Sequence, residues 1–256
     1  MHPYVHRKGA ARRRRAAKAM CCVPLSRIRR EVDAVRFKPN DDRPRVLISG
    51  AASGAGLACA EAFAARGAEL ILCDWDGIAL THTAKQLGAF SRFCDAGAER
   101  SVEIFIEEIG GLFGSIDVLI NAAGRGYIRA LTMMRMSRAG LPLLRKGAGY
   151  RLIANVAPAG GFSPTETIFP YAGSFASFAR LSETLIDQCR GTEIDVACIT
   201  PRIVRARQGS SRWSDHHYRL DRVDEQEAAE RIVEMFAAER PLWKQESRLL
   251  GRRAGS

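Results

Sequence analysis

The feature that most constrains this chain is a regular alternation of short apolar segments with longer amphipathic ones, which begins at Arg45. The short segments carry Val, Ile and Leu at consecutive positions, as expected for strands that are covered on both faces. Such alternation predicts an α/β fold, a doubly wound parallel sheet with helices on both faces. The predicted strands are Arg45–Ser49, Glu69–Cys73, Phe90–Cys94, Asp117–Ile120, Arg151–Val156 and Ile194–Ile199, and the predicted helices are Gly56–Gly67, Gly77–Leu87, Ala98–Gly110, Met134–Arg145, Tyr171–Cys189 and Asp224–Glu239.

The positive charge of the chain is concentrated at its start. Of the formal net charge of +11 in 256 residues, +9 falls within residues 1–44. We therefore expect residues 1–43 to form a basic, disordered extension and residues 44–256 to form a single domain. Two alternatives stay open for the extension. It could precede a true start at Met20, or it could bind nucleic acid or an anionic membrane surface through residues 7–30.

Cysteine and histidine usage argues against a disulfide framework or a metal site. The seven cysteines are odd in number and form no CxxC pair, which predicts buried free thiols in a reducing cytosol and a cytoplasmic protein. His216 and His217 have no acid or cysteine at ligand spacing, so no metal site is predicted. No segment approaches the roughly 18 consecutive apolar residues of a membrane span.

A glycine-rich segment, Ser49–Gly56, joins the first strand to the first helix. Glycines there allow a tight turn and a close approach to a pyrophosphate, whose charge the helix N-terminus meets. Asp74 ends the second strand, 18 residues after Gly56. A carboxylate at that place accepts the ribose hydroxyls of NAD and repels the 2′-phosphate of NADP. The predicted cofactor is NAD, held by Gly50, Ser53, Gly54, Ala55, Gly56 and Asp74.

Together with three later motifs, this segment resembles the short-chain dehydrogenase/reductase family over about residues 44–240. Ser49–Gly56 is similar to the family's TGxxxGxG loop. The pair Asp95-Ala96 resembles its adenine-contacting site, and the run Asn121-Ala122-Ala123-Gly124 resembles its NNAG motif. Val196–Arg202 is similar to its sixth strand with the following Pro-Gly. The resemblance implies a Rossmann-type fold, NAD-dependent oxidoreductase activity on a small molecule, and homo-oligomers formed through the fourth and fifth helices.

The same resemblance identifies a degraded catalytic set. Tyr171 corresponds to the family's catalytic tyrosine, since it precedes Pro201 by thirty residues. The family's lysine, four residues later, is Phe175, and its serine is Pro158. Its catalytic asparagine is replaced by Arg129, the threonine that holds nicotinamide by Ala206, and the glycine after Pro201 by Arg202; the front of the fourth helix is expected to be missing.

These replacements affect the proton transfer. Free tyrosine has a pKa of about 10, and the family's lysine lowers that pKa with its positive charge. Phe175 has no charge and Pro158 has no hydroxyl. The sequence therefore predicts weak or absent turnover.

Three hypotheses about function follow. The first is an NAD(H)-binding pseudoenzyme that acts as a sensor or assembly partner. The second is an active oxidoreductase on an alcohol or carbonyl substrate, in which Tyr171 is the acid/base and Arg125, Arg129 or Arg202 replaces the lysine. The third is a nucleic-acid or membrane-surface binder that uses the basic extension.

Removal of the extension should leave the domain intact, because its charge surplus and lack of apolar periodicity give it little to bury. A chain that begins at Asp42 should keep the melting temperature and the NAD affinity of the full chain. Thermal unfolding and calorimetric titration of the two chains measure both quantities. A melting temperature lower by many degrees would show that residues 32–37 pack on the domain.

Overall fold

Six strands and six helices alternate along the part of the chain that the computed structural model describes, residues 43–124, 128–157, 169–199 and 222–237. All of these residues belong to one compact unit, Val35–Glu239. The elements in chain order are β1 (Arg45–Ser49), α1 (Gly54–Ala64), β2 (Glu69–Asp74), α2 (Gly77–Leu87), β3 (Phe90–Phe93), α3 (Glu99–Phe113), β4 (Val118–Asn121), α4 (Arg129–Lys146), β5 (Arg151–Val156), α5 (Phe169–Gln188), β6 (Ile194–Ile199) and α6 (Arg222–Ala237).

The six strands form one parallel sheet in the order β3-β2-β1-β4-β5-β6. Strands β2 and β3 are added on one side of β1, and strands β4, β5 and β6 are then added on its other side. Loops after β1 and β4 therefore diverge to opposite faces, which opens a crevice at the carboxyl ends of these two strands. The predicted doubly wound parallel sheet is confirmed.

Both faces of the sheet are covered, which explains the continuous apolar runs. In β1, Val46 and Ile48 pack into the core beneath α1, α2 and α6, whereas Leu47 packs into the core beneath α3, α4 and α5. All three are fully buried. Because successive side chains of a strand point to opposite faces, every position of such a strand must be apolar.

The six strands agree with the sequence prediction to within one residue at each end, and β1, β5, β6 and α2 agree at both ends. Four helices start earlier than predicted, and the last two of them begin at Phe169 and Arg222 instead of Tyr171 and Asp224. The first begins at Gly54 instead of Gly56, and the fourth begins at Arg129 instead of Met134. The early start of α4 has a packing reason, because Ala130 and Met133 are buried and continue its apolar face.

Free thiols are buried as predicted at four of the described cysteines, Cys59, Cys73, Cys94 and Cys189, while Cys198 is partly buried. Among the described helices, none combines the length and the apolar character that crossing a bilayer requires. Residues 1–42, and with them the predicted extension, lie outside the described residues.

A chain of buried polar side chains joins the carboxyl ends of β4 and β5 to the helices α4 and α5. The Asn121 amide nitrogen donates to Ser137 Oγ at 2.9 Å and to Asn155 Oδ1 at 2.8 Å. Asn155 in turn donates to Ser182 Oγ at 3.1 Å. All four residues are at most 2% exposed. Hydrogen bonds inside the protein have little competition from water, so this chain fixes the register of the two strands.

Replacing Asn155 with alanine should lower the free energy of unfolding by about 2 kcal/mol, because the Asn121 amide and the Ser182 hydroxyl each lose a buried partner. Urea unfolding measures the change. Gln86→Ala, on the exposed surface of α2, is the control and should stay within about 0.5 kcal/mol of the wild type. Equal stability of Asn155→Ala and the wild type would show that water replaces the lost partner.

Candidate functional site

The loop after β1 and the loop after β4 touch through their backbones at the crevice. Gly50 has a φ of +78°, and a Cβ added there would lie 2.6 Å from the Ala123 backbone nitrogen. A Cβ added at Gly56 would lie 1.9 Å from the Gly50 carbonyl oxygen. Side chains are therefore excluded at both positions, and the loop keeps its backbone open toward the crevice.

The first turn of α1 carries no acidic residue, and the side chain of its N-cap, Ser53, makes no capping hydrogen bond. The N–H groups of a first turn have no partner within the helix, so they are available to an anion. Gly54, with a φ of +57°, and Ala55 present no bulky side chain at this end. The pyrophosphate of a dinucleotide would lie at this helix end, which the Glu225 carboxylate also approaches.

Asp74 connects the end of β2 to the glycine loop. Its carboxylate, in a residue that is 6% exposed, accepts the Ala52 N–H at 3.0 Å and the Asp76 N–H at 3.0 Å, one on each oxygen. Each carboxylate oxygen has more than one acceptor position. The carboxylate is thus held in place beside the loop and keeps acceptor capacity for ribose hydroxyls.

Asp95 follows the end of β3 and is exposed. One of its carboxylate oxygens accepts the Gly97 N–H at 2.8 Å, and its own N–H donates to Ser101 Oγ at 3.0 Å. Ala96 is buried beside it. Asp74 and Asp95 therefore stand at the ends of neighbouring strands, where the adenosine half of a dinucleotide would lie.

Two buried thiols lie directly behind these acids. A hydrogen bond between the thiols and burial raise the pKa of Cys73, whereas the same hydrogen bond lowers the pKa of Cys94. Both side chains belong to the core beneath α3. They pack the strand ends that carry Asp74 and Asp95.

The segment after β4 divides into a buried and an accessible part. The Asn121 side chain lies in the polar chain beneath the crevice, whereas Ala122, Ala123 and Gly124 are partly exposed at its edge. Gly124 has a φ of +102°, and an added Cβ would lie 2.7 Å from Thr132 Oγ1. Of the four residues predicted to contact the cofactor in this segment, Asn121 is buried beneath the crevice and the other three lie at its edge.

Arg129 occupies the carboxyl end of β5. Its Nε donates to the Gly124 carbonyl at 3.0 Å, and its Nη1 reaches the Val156 carbonyl at 3.4 Å. Burial lowers the pKa of the guanidinium. This is the residue at which the sequence predicted the replacement of the family's catalytic asparagine.

Tyr171 and Phe175 both fall on α5, one turn of the helix apart, which agrees with the predicted helix. The remaining predicted active-site positions, Pro158, Arg125, Arg202 and Ala206, lie outside the described residues, as do His216 and His217. No group of three or more possible metal ligands occurs within the described part of the chain.

Four residues at this edge of the sheet were not predicted from the sequence. Ser137, Asn155 and Ser182 complete the buried polar chain; a polar residue inside an apolar strand or helix face was the available signal. Glu225 of α6 approaches the glycine loop, with Oε1 3.2 Å from a Cβ added at Gly54. Nothing in the sequence places Glu225 there, because the contact depends on how α6 packs against α1.

Comparison with known proteins agrees with this geometry. Residues 44–134, which run from β1 into α4, match the short chain dehydrogenase family model. The chain is 28% identical over 214 residues to the granaticin polyketide synthase putative ketoacyl reductase 1 of Streptomyces violaceoruber, which covers 75% of this chain and 78% of that protein. It is 27% identical over 201 residues to D-threitol dehydrogenase of Mycolicibacterium smegmatis, covering 70% and 77% of the two chains.

A solved structure shares the fold. The short chain dehydrogenase/reductase from Burkholderia phymatum, determined in complex with NAD, superposes with a TM-score of 0.64 at 22% identity and covers 80% of this chain and 89% of that one. The matched segment and the relatives indicate the same similarity. The chain is similar to short chain dehydrogenases, and it shares their fold.

Proposed function

We propose that this protein binds NAD(H) through the adenosine side of the crevice and transfers hydride weakly or not at all. The family is one of NAD(P)-dependent oxidoreductases. The observation that carries the proposal is Asp74, whose buried carboxylate is fixed beside the glycine loop by two backbone N–H groups. A protein that binds the dinucleotide in order to act as a sensor or as an assembly partner would need only the adenosine side of the site.

The adenosine side offers one group for each part of the ligand. The first turn of α1 would receive the pyrophosphate, Asp74 the adenine ribose and Asp95 the adenine. The pyrophosphate interaction uses backbone N–H groups, and the glycines at positions 50 and 56 keep that backbone uncovered. Asp74 also favours NAD over NADP, because its negative charge repels a 2′-phosphate.

The opposite side of the crevice lacks the groups for proton transfer. A bound nicotinamide supplies or accepts a hydride, and the protein must move a proton to or from the substrate oxygen. Phe175 cannot lower the pKa of Tyr171, and Pro158 cannot donate to a carbonyl. Loss of each group lowers the rate by roughly two or more powers of ten.

A second candidate function is an active oxidoreductase in which Arg129 takes over the charge of the missing lysine. The observation that favours it is the position of the Arg129 guanidinium, which hydrogen-bonds to the backbone at the ends of both β4 and β5. A positive charge there would lower the pKa of a neighbouring tyrosine.

Assembly is the remaining element of the proposal. Leu131 and Met134, on one side of α4, are 37% and 36% exposed. Apolar side chains on this helix suit the homo-oligomers that family members form through their fourth and fifth helices. We propose the same contact for this chain.

The adenine ribose contact should make NADH bind more tightly than NADPH. Asp74→Asn keeps an acceptor for one backbone N–H group but removes the charge, so it should weaken NADH binding about tenfold and reduce the discrimination against NADPH. Calorimetric titration of both nucleotides measures the two effects.

Glu103→Gln, on the exposed side of α3, removes an equal charge from a side chain that pairs with Arg100 and not with the glycine loop, and it should change neither affinity. Equal or tighter binding of NADPH to the wild type would contradict the assignment of Asp74.

Turnover of the unmodified protein with NADH should be close to background on ketones and aldehydes, because two partners of Tyr171 are replaced. The rate of NADH oxidation across a panel of carbonyl compounds is the measurement. Tyr171→Phe removes the only oxygen of that side chain and is the matched control.

A rate indistinguishable between the wild type and Tyr171→Phe supports the binding role. Robust turnover that disappears in Tyr171→Phe would overturn it and establish the second candidate function. In that case, Arg129→Gln should lower the rate by at least about tenfold, since a charge-assisted interaction is lost.

A further inference from the structure

Arg129 carries a positive charge that no carboxylate neutralises within the described part of the chain. Its hydrogen-bond acceptors are two backbone carbonyls, and burial is the cause that lowers its pKa. Arg138 of the same helix differs in this respect, since it pairs with Glu99. A partly buried charge without a counter-ion is costly for a fold.

The guanidinium also keeps hydrogen-bonding capacity. Nε and Nη1 have the Gly124 and Val156 carbonyls as acceptors, whereas Nη2 has no acceptor among the described residues. Neighbouring N–H groups of a guanidinium lie in one plane and match the two oxygens of a carboxylate. Arg129 therefore combines an uncompensated charge with unused donors.

The start of α4 strengthens the positive potential at the same place. Arg129 is the first residue of this 18-residue helix, whose first turn has no acid and no side-chain cap. The N-terminal end of a helix carries a partial positive charge. The Arg129 guanidinium and the N-terminal end of α4 therefore both raise the positive potential on the same side of the crevice.

The pyrophosphate of a dinucleotide does not account for this charge. The pyrophosphate would lie at the first turn of α1, beside the Gly50–Gly56 loop, on the β1 side of the crevice. Arg129 is tied to Gly124 and Val156, which follow β4 and end β5. The two positions lie on opposite sides of β4 in the sheet.

We infer that Arg129 binds the carboxylate of a small organic acid at the carboxyl ends of β4 and β5. This inference deepens the proposed function, on which it rests for the dinucleotide beside the site, and it names a carboxylate-bearing carbonyl or hydroxy compound as the class of second ligand. The neutral side chain that the family has at this position could not supply that charge.

Binding of oxalate to the full-length protein tests the inference. Thermal unfolding is followed against oxalate concentration, with chloride keeping the ionic strength constant, in the presence and absence of NADH. Saturable stabilisation is expected for the wild type, and the oxalate affinity of Arg129→Gln should fall at least about tenfold. Inorganic phosphate, titrated in parallel, should bind more weakly.

Arg151→Gln is the matched control. Arg151 is also a buried arginine that donates to a backbone carbonyl, that of Gly147 at 2.7 Å, but it starts β5 at the opposite edge of the sheet. Its oxalate affinity should equal that of the wild type. If Arg129→Gln does not fold, Arg129→Lys takes its place as the test variant. Lysine keeps the charge but loses the planar pair of donors, so this variant should bind oxalate several-fold more weakly than the wild type.

Three outcomes would overturn the inference: no saturable response of the wild type to oxalate, an oxalate affinity that Arg129 variants leave unchanged, and equal or tighter binding of phosphate. NADH titration of the same samples separates this inference from the proposed function. Oxalate binding through Arg129 without NADH binding would refute only the proposed function. NADH binding without oxalate binding through Arg129 would refute only the inference.

Discussion

The close contact between the backbones of Gly50 and Ala123 is the constraint on which the candidate site depends. A Cβ at position 50 would lie 2.6 Å from the Ala123 nitrogen, so the two loops can meet only if position 50 has no side chain. They meet at the base of the crevice, where the strand order reverses, before the chain continues to opposite faces of the sheet. Asp74 then holds the glycine loop from one side through the Ala52 N–H. Asn121 holds the end of β4 from the other side through its bond to Asn155. The crevice is therefore rigid because its walls are tied both to each other and to the sheet.

The two halves of the crevice differ in what supplies their chemistry. On the adenosine side the pyrophosphate would meet backbone N–H groups, which persist as long as α1 begins where it does. On the side of β4 and β5, family chemistry depends on particular side chains, and a single substitution removes each function. On the proposed function, Phe175 and Pro158 would eliminate proton transfer without disturbing the fold or the nucleotide cradle. This separation would let a chain keep the binding of a dinucleotide while it loses the reaction.

Sequence predicted the fold well because burial on both faces leaves a strong pattern. Strands β1, β5 and β6 agree at both ends with their apolar runs. Boundaries were less accurate where polar residues belong to the element, as at Asn121, which ends β4 although it was predicted to follow the strand. The glycine loop and Asp74 were predictable as a pair, since their spacing reflects one supersecondary unit. The hydrogen bonds of Asn155 and the approach of Glu225 to Gly54 were not, because both arise between segments far apart in the sequence.

Arg129 shows why a substituted catalytic position need not be an empty one. In the family resemblance it counts as a lost asparagine, and residue identity alone suggests only a loss. The structure adds information that the residue type does not give. The Arg129 side chain has two backbone carbonyls as acceptors and no carboxylate partner among the described residues, and it lies at the N-terminal end of α4, which also carries a partial positive charge. Two hydrogen bonds to neutral carbonyls offset only part of the cost of desolvating a guanidinium. An anionic ligand would offset more of that desolvation cost, and this offset would contribute to the free energy of ligand binding. With the proposed ligand, the replacement would change the chemistry of this side of the crevice from proton transfer to recognition of negative charge.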